Sequence, residues 1–313
     1  MLAAQGSEAE HIANRMRSPF KPETYSPGSR PEGALTERES ATRVRNMFSK
    51  IAPRYDLLNR LLSLRMDVKW RKRTAQKFQR TYRRTEARIL DLCCGTGDLA
   101  FALDKERVRV IRDPSAHRAP IIGCDFARPM LKLAKAKARS HRRSTVFVNA
   151  DALRMPFADR TFDLVATAFG FRNLADYEGG LREIARVLKP GGRIAILEFS
   201  QPRKGALARV FRFYFKRILP VVGGAISGSR AAYAYLPSSV STFPEPAELA
   251  SLMLKSGFVD VRHEGWNFGS VNLHIGRTPP ASETTLELDG ESKDFPRSEY
   301  GDGKAGAAER RVD

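Results

Sequence analysis

The apolar run Arg88–Leu92 (RILDL) leads directly into Cys93-Cys94-Gly95-Thr96-Gly97-Asp98, and this junction constrains the fold more than any other stretch of the chain. An apolar run that ends in closely spaced glycines and restarts as a helix reads as the first βα turn of an open α/β sheet. Glycine lets the backbone turn tightly and lets its N–H groups approach a ligand. Asp91 stands near the end of the run, placed to fix the loop or to meet a ligand amine. Extended to Ala100 the string also reads GxGxxA, the dinucleotide fingerprint, so the turn alone does not choose between nucleotide-like ligands.

The rest of the body repeats the same alternation. Ile121–Asp125, Val146–Asn149, Phe162–Ala168 and Arg193–Phe199 read as further strands. Asp98–Leu103, Met130–Arg139 and Glu178–Leu188 read as the helices between them, and Lys189-Pro190-Gly191-Gly192 as a helix stop followed by a turn. A loop insertion is expected around Arg107–Pro120. Pro246–Ser256 reads as a late helix, and Phe258–Val261 and Asn272–Gly276 as late strands. Ahead of the sheet, Ala41–Arg73 reads as helical segments broken at Pro53. Strands alternating with helices predict an α/β fold, a mostly parallel sheet with helices on both faces.

Composition sets the limits of this body. The chain has 313 residues and a formal net charge of +19. Residues 1–39 are rich in Ser, Pro, Gly and charge and are expected to be a disordered leader; residues 278–313, with nine acids against five bases, are expected to be a disordered acidic tail. The folded domain is placed at 40–277, and it carries a larger positive excess than the whole chain. Such a body attracts anions: nucleic acid, acidic lipid or phosphorylated compounds. Three cysteines, Cys93, Cys94 and Cys124, form no CxxC pair, which argues against a disulfide framework or a structural zinc site and fits a reducing cytoplasm. No run approaches the roughly 18 apolar residues of a membrane span.

Two acids extend the glycine turn into a candidate site. Asp125 closes the second strand, where a carboxylate can accept both hydroxyls of a ribose; the plainer alternative, which the glycine turn disfavours, is that it only caps the next helix. It lies further from Asp91 than the roughly 20 residues of the dinucleotide pattern. Asp151-Ala152 follows the third strand, beside the crevice of an open sheet, where the acid can take an adenine amine or be an ordinary loop residue.

Taken together, Asp91–Asp98, Asp125, Asp151-Ala152, Phe162-Asp163 and Leu188–Gly192 resemble the class I S-adenosylmethionine-dependent methyltransferases. Val44–Phe48 (VRNMF), Ile51–Asn59 (IAPRYDLLN), Phe169–Asn173 (FGFRN) and Leu197–Pro202 (LEFSQP) narrow the resemblance to the UbiE/MenG family, C-methyltransferases of menaquinone and ubiquinone biosynthesis. It covers roughly 42–277. The resemblance implies a Rossmann-like seven-stranded sheet of order 3-2-1-4-5-7-6 with its last strand antiparallel. It carries S-adenosylmethionine contacts onto Gly95, Thr96 and Gly97, onto Asp125 at the ribose, and onto Asp151 and Ala152 near the adenine. One position departs: Ala168 stands where many members have a cofactor-contacting serine, so that contact is absent or passes to backbone.

A sulfonium methyl is already activated, so no metal is required. The protein must align donor and acceptor and raise the nucleophilicity of a ring carbon, which loss of a hydroxyl proton does. Arg172, which stays protonated, is assigned to oxyanion stabilisation or to ordering a water, and Asn173 to orienting the ring hydroxyl. Tyr55 is the candidate to close over the acceptor. Each has a plainer reading: a salt bridge for Arg172, and packing within a helical lid for Tyr55. His263 and His274 receive no role.

The implied partner is a polyprenylated quinol, which lives in a bilayer. Lys204–Leu219 interleaves arginines and lysines with aromatic residues at helical spacing, and Lys69–Arg88 adds charge, so peripheral contact with the anionic inner face of the membrane is expected. The same helix could instead pack on the body with its charges solvated. A nucleic-acid methyltransferase is the competing reading of the charge, but FGFRN replaces the aromatic NPPY-like tetrapeptide that would handle a base, and no nucleic acid is expected. A dinucleotide oxidoreductase and a non-catalytic binding module also compete, each resting on the glycine turn. Homo-oligomerisation stays open.

Overall fold

The computed structural model describes residues 28–202 apart from Glu32 and Pro114, residues 230–281, and Arg209, Phe213 and Arg217 between them. Seven strands are present: β1 (Ile89–Leu92), β2 (Ile122–Asp125), β3 (Val146–Asn149), β4 (Phe162–Ala168), β5 (Leu188–Phe199), β6 (Val259–Trp266) and β7 (Val271–Arg277). They form one sheet in the order β3-β2-β1-β4-β5-β7-β6. The first five are parallel, and β7 runs antiparallel between β5 and β6. After β1 the chain moves outward through β2 to β3, then returns to β4 on the other side of β1. The loops after β1 and β4 therefore diverge, and a crevice opens at their carboxyl ends.

Eight helices flank the sheet among the described residues: α1 (Glu37–Leu62), α2 (Met66–Gln76), α3 (Gln79–Tyr82), α4 (Asp98–Ile111), α5 (Arg128–Ser140), α6 (Tyr177–Val187), α7 (Arg230–Thr242) and α8 (Pro246–Lys255). Strand residues alternate between two cores, as a period of two requires. Val165, Ile194 and Ile196 pack with Leu181 and Ile184 of α6 and Leu249 and Met253 of α8. Leu164, Ala195 and Leu197 face the other way, onto Trp70, Tyr82 and Leu103.

Several element bounds differ from those expected of the sequence. Pro53 does not break the first helix; α1 runs through it, anchored on both sides by buried Ile51, Ala52 and Leu58. The chain breaks instead at Leu64 and Arg65, whose φ angles are 50° and 62°. Helix α4 continues to Ile111, so the expected insertion shrinks to the loop before β2. Lys189–Gly192 is a register irregularity inside β5, where Leu188 pairs with Phe162 and Arg193 with Leu164. It is held by Gly191 N–H donating to Pro279 O at 3.0 Å and Thr278 N–H to Gly192 O at 2.9 Å.

The expected leader lies outside the described residues as far as 27. Its end is described: Ser29 N–H donates to Leu174 O at 2.7 Å, and Thr36 caps α1 in a reciprocal box with Glu39. Of the expected membrane helix Lys204–Leu219, only Arg209, Phe213 and Arg217 are described, all exposed; the rest, and the acidic tail after 281, lie outside the described residues. No helix among the described residues is long and apolar enough to cross a membrane.

Asp163 fastens the amino ends of the central strands. Its buried carboxylate accepts from Arg88 N–H at 2.9 Å, Lys189 Nζ at 2.8 Å and Arg84 Nη2 at 2.9 Å. Removing it strands a backbone donor and two cations. Asp163→Ala is expected to cost about 2–4 kcal/mol of unfolding free energy in urea titration while the folded variant still binds cofactor. A loss below about 0.5 kcal/mol would show that the carboxylate is not a structural fastener.

Candidate active site

At the carboxyl edge, between the loops after β1 and β4, lies a concave pocket lined mostly by apolar side chains, the kind of surface that holds small molecules. Gly95, Asp125, Asp151 and Ala152 line one part. Phe169 and Asn173 line another, and Tyr55 and Phe48 of α1 close over the top. The sheet thus brings together most of the residues singled out from sequence.

The turn itself is shaped by three left-handed residues, Cys93, Gly95 and Gly97, with φ of 55°, 53° and 87°. A side chain on Gly97 would press on Phe101 and Phe147 at 3.1–3.2 Å, whereas at Gly95 the nearest atom is Tyr55 Cε1 at 3.8 Å. Gly97 serves packing, and Gly95 faces the pocket. Asp91 fixes the loop: its Oδ2 accepts from Ala100 N–H at 2.8 Å. Its Oδ1 is buried with no hydrogen-bond partner, and burial holds this carboxyl well above the usual range.

Asp125 is 8% exposed and ties the turn after β1 to the start of the helix after β2. Oδ2 accepts from Gly95 N–H and Oδ1 from Ala127 N–H, each at 2.8 Å. Burial pushes its pKa up to about 6, against the pull of these backbone donors. Each oxygen retains acceptor capacity toward the pocket, which is what a vicinal diol needs. Asp151 sits at the exposed rim, with Oδ1 accepting from Leu153 N–H at 3.0 Å. The three thiols are free, and burial raises all of them, Cys124 to about 12, so none is poised as a nucleophile.

Three expected site residues do not line the pocket: Thr96, Arg172 and Gly97, which serves packing. The Thr96 hydroxyl donates to Asp56 Oδ1 of α1 at 2.6 Å and accepts from Lys137 Nζ at 3.0 Å. Lys137 also pairs with Asp56 at 2.7 Å and Asp98 at 2.6 Å, so the turn is latched to α1. Arg172 is buried behind the pocket wall. Its Nη1 donates to Phe169 O at 2.5 Å and to Glu198 Oε2 at 2.9 Å, and its backbone N–H also reaches Glu198. Burial opposes its charge, but Glu198 more than restores it. The guanidinium therefore organises the Phe169–Asn173 turn and does not itself face an acceptor.

Asn173 does line the pocket, and its Oδ1 accepts from the Tyr235 hydroxyl at 3.1 Å. Tyr235 in turn shares a 2.5 Å hydrogen bond with Ser29 Oγ. Tyr55 is half-buried, bonds to Asn59, and burial raises its phenol, so it is a hydrogen-bond donor at neutral pH. Sequence reasoning missed Tyr235, Ser29 and Lys137. None stands in a motif; Asp56 and Glu198 do, within YDLLN and LEF, but only the tertiary contact shows what they hold. His263 and His274 are cross-strand neighbours outside the pocket.

A ribose-type carboxylate bonded to a glycine turn at the switch point of this sheet order defines an S-adenosylmethionine-dependent methyltransferase of class I. The fold is shared with a SAM-dependent methyltransferase of Thermotoga maritima, with a TM-score of 0.51 at 18% identity, covering 74% of this chain and 98% of that one. The sequence places it more narrowly: residues 36–278 match the ubiE/COQ5 methyltransferase family, and the chain belongs to that family. Among its relatives, the demethylmenaquinone methyltransferase of Thermus thermophilus is 51% identical over 233 residues, covering 74% of this chain and 100% of that one. The enzyme of the same name from Deinococcus radiodurans is 45% identical over 240 residues, covering 77% and 94%. A ubiquinone/menaquinone biosynthesis C-methyltransferase UbiE of Geobacter sulfurreducens is 43% identical over 241 residues, covering 76% and 89%.

Two outcomes follow from this geometry. Diol hydroxyls donating to Asp125 favour its ionised form, so affinity for S-adenosylhomocysteine is expected to fall as pH drops through about 6. The fall should vanish in Asp125→Asn, as measured by calorimetry from about pH 7.5 to 5; an equal fall in that variant would assign the dependence to another group. At Gly170 an added Cβ would land 2.4 Å from Cys93 Cβ, so Gly170→Ala is expected to push the two loops apart and weaken cofactor binding at least tenfold by the same assay.

Proposed function

We propose that the protein transfers the methyl group of S-adenosylmethionine to a ring carbon of a prenylated hydroquinone, with demethylmenaquinol as the acceptor. The observation that carries this reading is the make-up of the pocket. Beside Asp125 it offers nucleoside contacts, and the remaining wall is apolar, Phe48, Phe169 and Leu174, with Asn173 and Tyr55 as its neutral polar groups. A flat ring with a hydroxyl or oxyanion fits such a wall. The two names carried by the 51% and 45% identical relatives support the naphthoquinol as the ring.

When bound, S-adenosylmethionine supplies an electrophilic methyl on a sulfonium centre. Asp125 would hold its ribose, the backbone of the turn at Gly95 would support its amino-acid end, and Asp151 and Ala152 would meet its adenine. Thr96 contributes through its Asp56 bond, which keeps α1 over the turn. The Asn173 Oδ1 accepts from Tyr235 and one amide N–H points at Phe169 O, 3.5 Å away; the second N–H would stabilise a ring oxygen as it loses its proton. Tyr55, kept protonated by burial, donates from the lid side. Arg172, paired with Glu198, fixes the turn that carries Asn173. Closure of Tyr55 and Phe48 excludes water from the methyl path.

The relative from Geobacter sulfurreducens carries a name that includes ubiquinone, which favours as second reading a methoxy-benzoquinol acceptor. Reaching a prenylated ring calls for peripheral contact with the cytoplasmic face of the membrane. The test is incorporation of labelled methyl from S-adenosylmethionine into short-chain demethylmenaquinol and methoxy-benzoquinol side by side. Label in the naphthoquinol ring is expected, and absence of label from both would overturn the proposal. Asn173→Ala and Tyr55→Phe should lower kcat roughly 10- to 100-fold while S-adenosylhomocysteine affinity stays within about twofold. Full turnover in either variant removes that side chain from the chemistry.

A further inference from the structure

Two turns of this protein present large apolar side chains to solvent in a backbone conformation that such residues avoid. Leu64, between α1 and α2, is 83% exposed with φ of 50°; Phe268, between β6 and β7, is 82% exposed with φ of 59°. A left-handed turn is most easily made by glycine or asparagine, and leucine or phenylalanine there costs both strain and exposed apolar area. Nothing in the packing of either turn calls for a large side chain.

The two turns face the same way. Contacts between α2 and the β6 hairpin step toward one end: Lys77 pairs with Glu264, Arg73 lies over Trp266, and Trp70 Nε1 donates to Asn267 Oδ1 at 2.9 Å. That progression runs from the end of α2 toward its start as it runs along β6 toward its turn, so both turns point to one edge. The edge is also that of the pocket. β6 runs in the same sense as β5, since both are antiparallel to β7, so its turn emerges at the carboxyl edge. Trp70 bridges the two regions, with its ring 5.9 Å from that of pocket-lining Phe169. Leu57 and Leu61, 55% and 48% exposed, extend the apolar strip along α1 at helical spacing. Around it Arg65, Lys69 and Lys72 are exposed.

The geometry points to this double tip as the membrane-docking surface of the protein, with Leu64 and Phe268 inserted among the acyl chains of an anionic bilayer and Arg65, Lys69 and Lys72 at its headgroups. Apolar prongs ringed by cations match a bilayer in both shape and charge. Docked so, the pocket edge faces the lipid, which delivers a prenylated ring without drawing it through water. That last step rests on the acceptor proposed above; the docking does not.

The test is co-sedimentation of the full chain with phosphatidylglycerol/phosphatidylcholine vesicles containing no quinol. Asparagine suits a left-handed turn, so Leu64→Asn with Phe268→Asn should leave the melting temperature unchanged or raised and reduce vesicle binding at least tenfold. Reversing Arg65, Lys69 and Lys72 to Glu should abolish the preference for anionic over pure phosphatidylcholine vesicles. Unchanged vesicle binding by the asparagine double variant would overturn the proposal and leave the segment Lys204–Leu219 to carry the membrane contact. So would a parent dimer, seen by sedimentation velocity without lipid, that the double variant dissociates, since the tips would then be a self-association face. Turnover of a water-soluble short-chain acceptor by the double variant reports the chemistry separately, and is expected to equal that of the parent.

Discussion

The hydrogen bond from Gly95 N–H to Asp125 Oδ2 is the constraint on which the site depends. It joins the turn after β1 to the end of β2, on one side of the position where the sheet order reverses. Once it forms, the glycine turn cannot drift from the acid, and a nucleoside held by one is held by the other. The price is a carboxylate buried to 8% exposure, whose pKa is raised to about 6. In the fold without ligand, this group favours the protonated form more than the unfolded chain does. Its ionisation therefore opposes folding, with the cost fully present above about pH 6 and relieved as pH falls toward the unfolded value. A diol bound there would act in the opposite sense, because it would stabilise the charge, and part of its affinity would be relief of that cost.

A second set of charges holds the lid. Asp56 on α1 meets Thr96 and Lys137, and Lys137 also meets Asp98 at the start of α4. Arg71 adds its pair with Asp67 and its approach to Asp98, 3.9 Å away. The lid is thus tied to the glycine turn through hydrogen-bonded charges, beside the apolar contacts of Ile51, Ala52 and Leu58 with Met130 and Val240. Charged and apolar contacts together hold α1 over the glycine turn.

Much of this was legible in the sequence, for identifiable reasons. Strands buried on both faces, such as Phe162–Ala168, read as continuous apolar runs, and the acids closing β1 and β2 flank a glycine turn, so the parallel sheet and Asp125 follow from pattern. Where long-range packing decides, pattern fails. Pro53 looks like a break because a local rule says so, yet buried neighbours on either side hold α1 together. Arg172 looks like a free cation because its partner Glu198 is 26 residues away on another strand. The Thr96 hydroxyl looks available because Asp56 lies 40 residues earlier. In each case the residue's identity was visible and its partner was not.

The chain Ser29–Tyr235–Asn173 shows how a segment ahead of the family's common domain reaches the chemistry. The family match begins at residue 36, while Ser29 lies before it and still bonds to both Tyr235 and the backbone of Leu174. An asparagine amide has two faces, one accepting and one donating, and an isolated Asn173 could turn either toward a ring. Tyr235 occupies the accepting face, and Ser29 holds Tyr235 in place. One amide N–H points at Phe169 O, 3.5 Å away, and the other is the donor that a ring oxyanion would need in the proposed reaction. On that reading the polarity of the wall is set in part by Ser29 and Tyr235, which do not line the pocket.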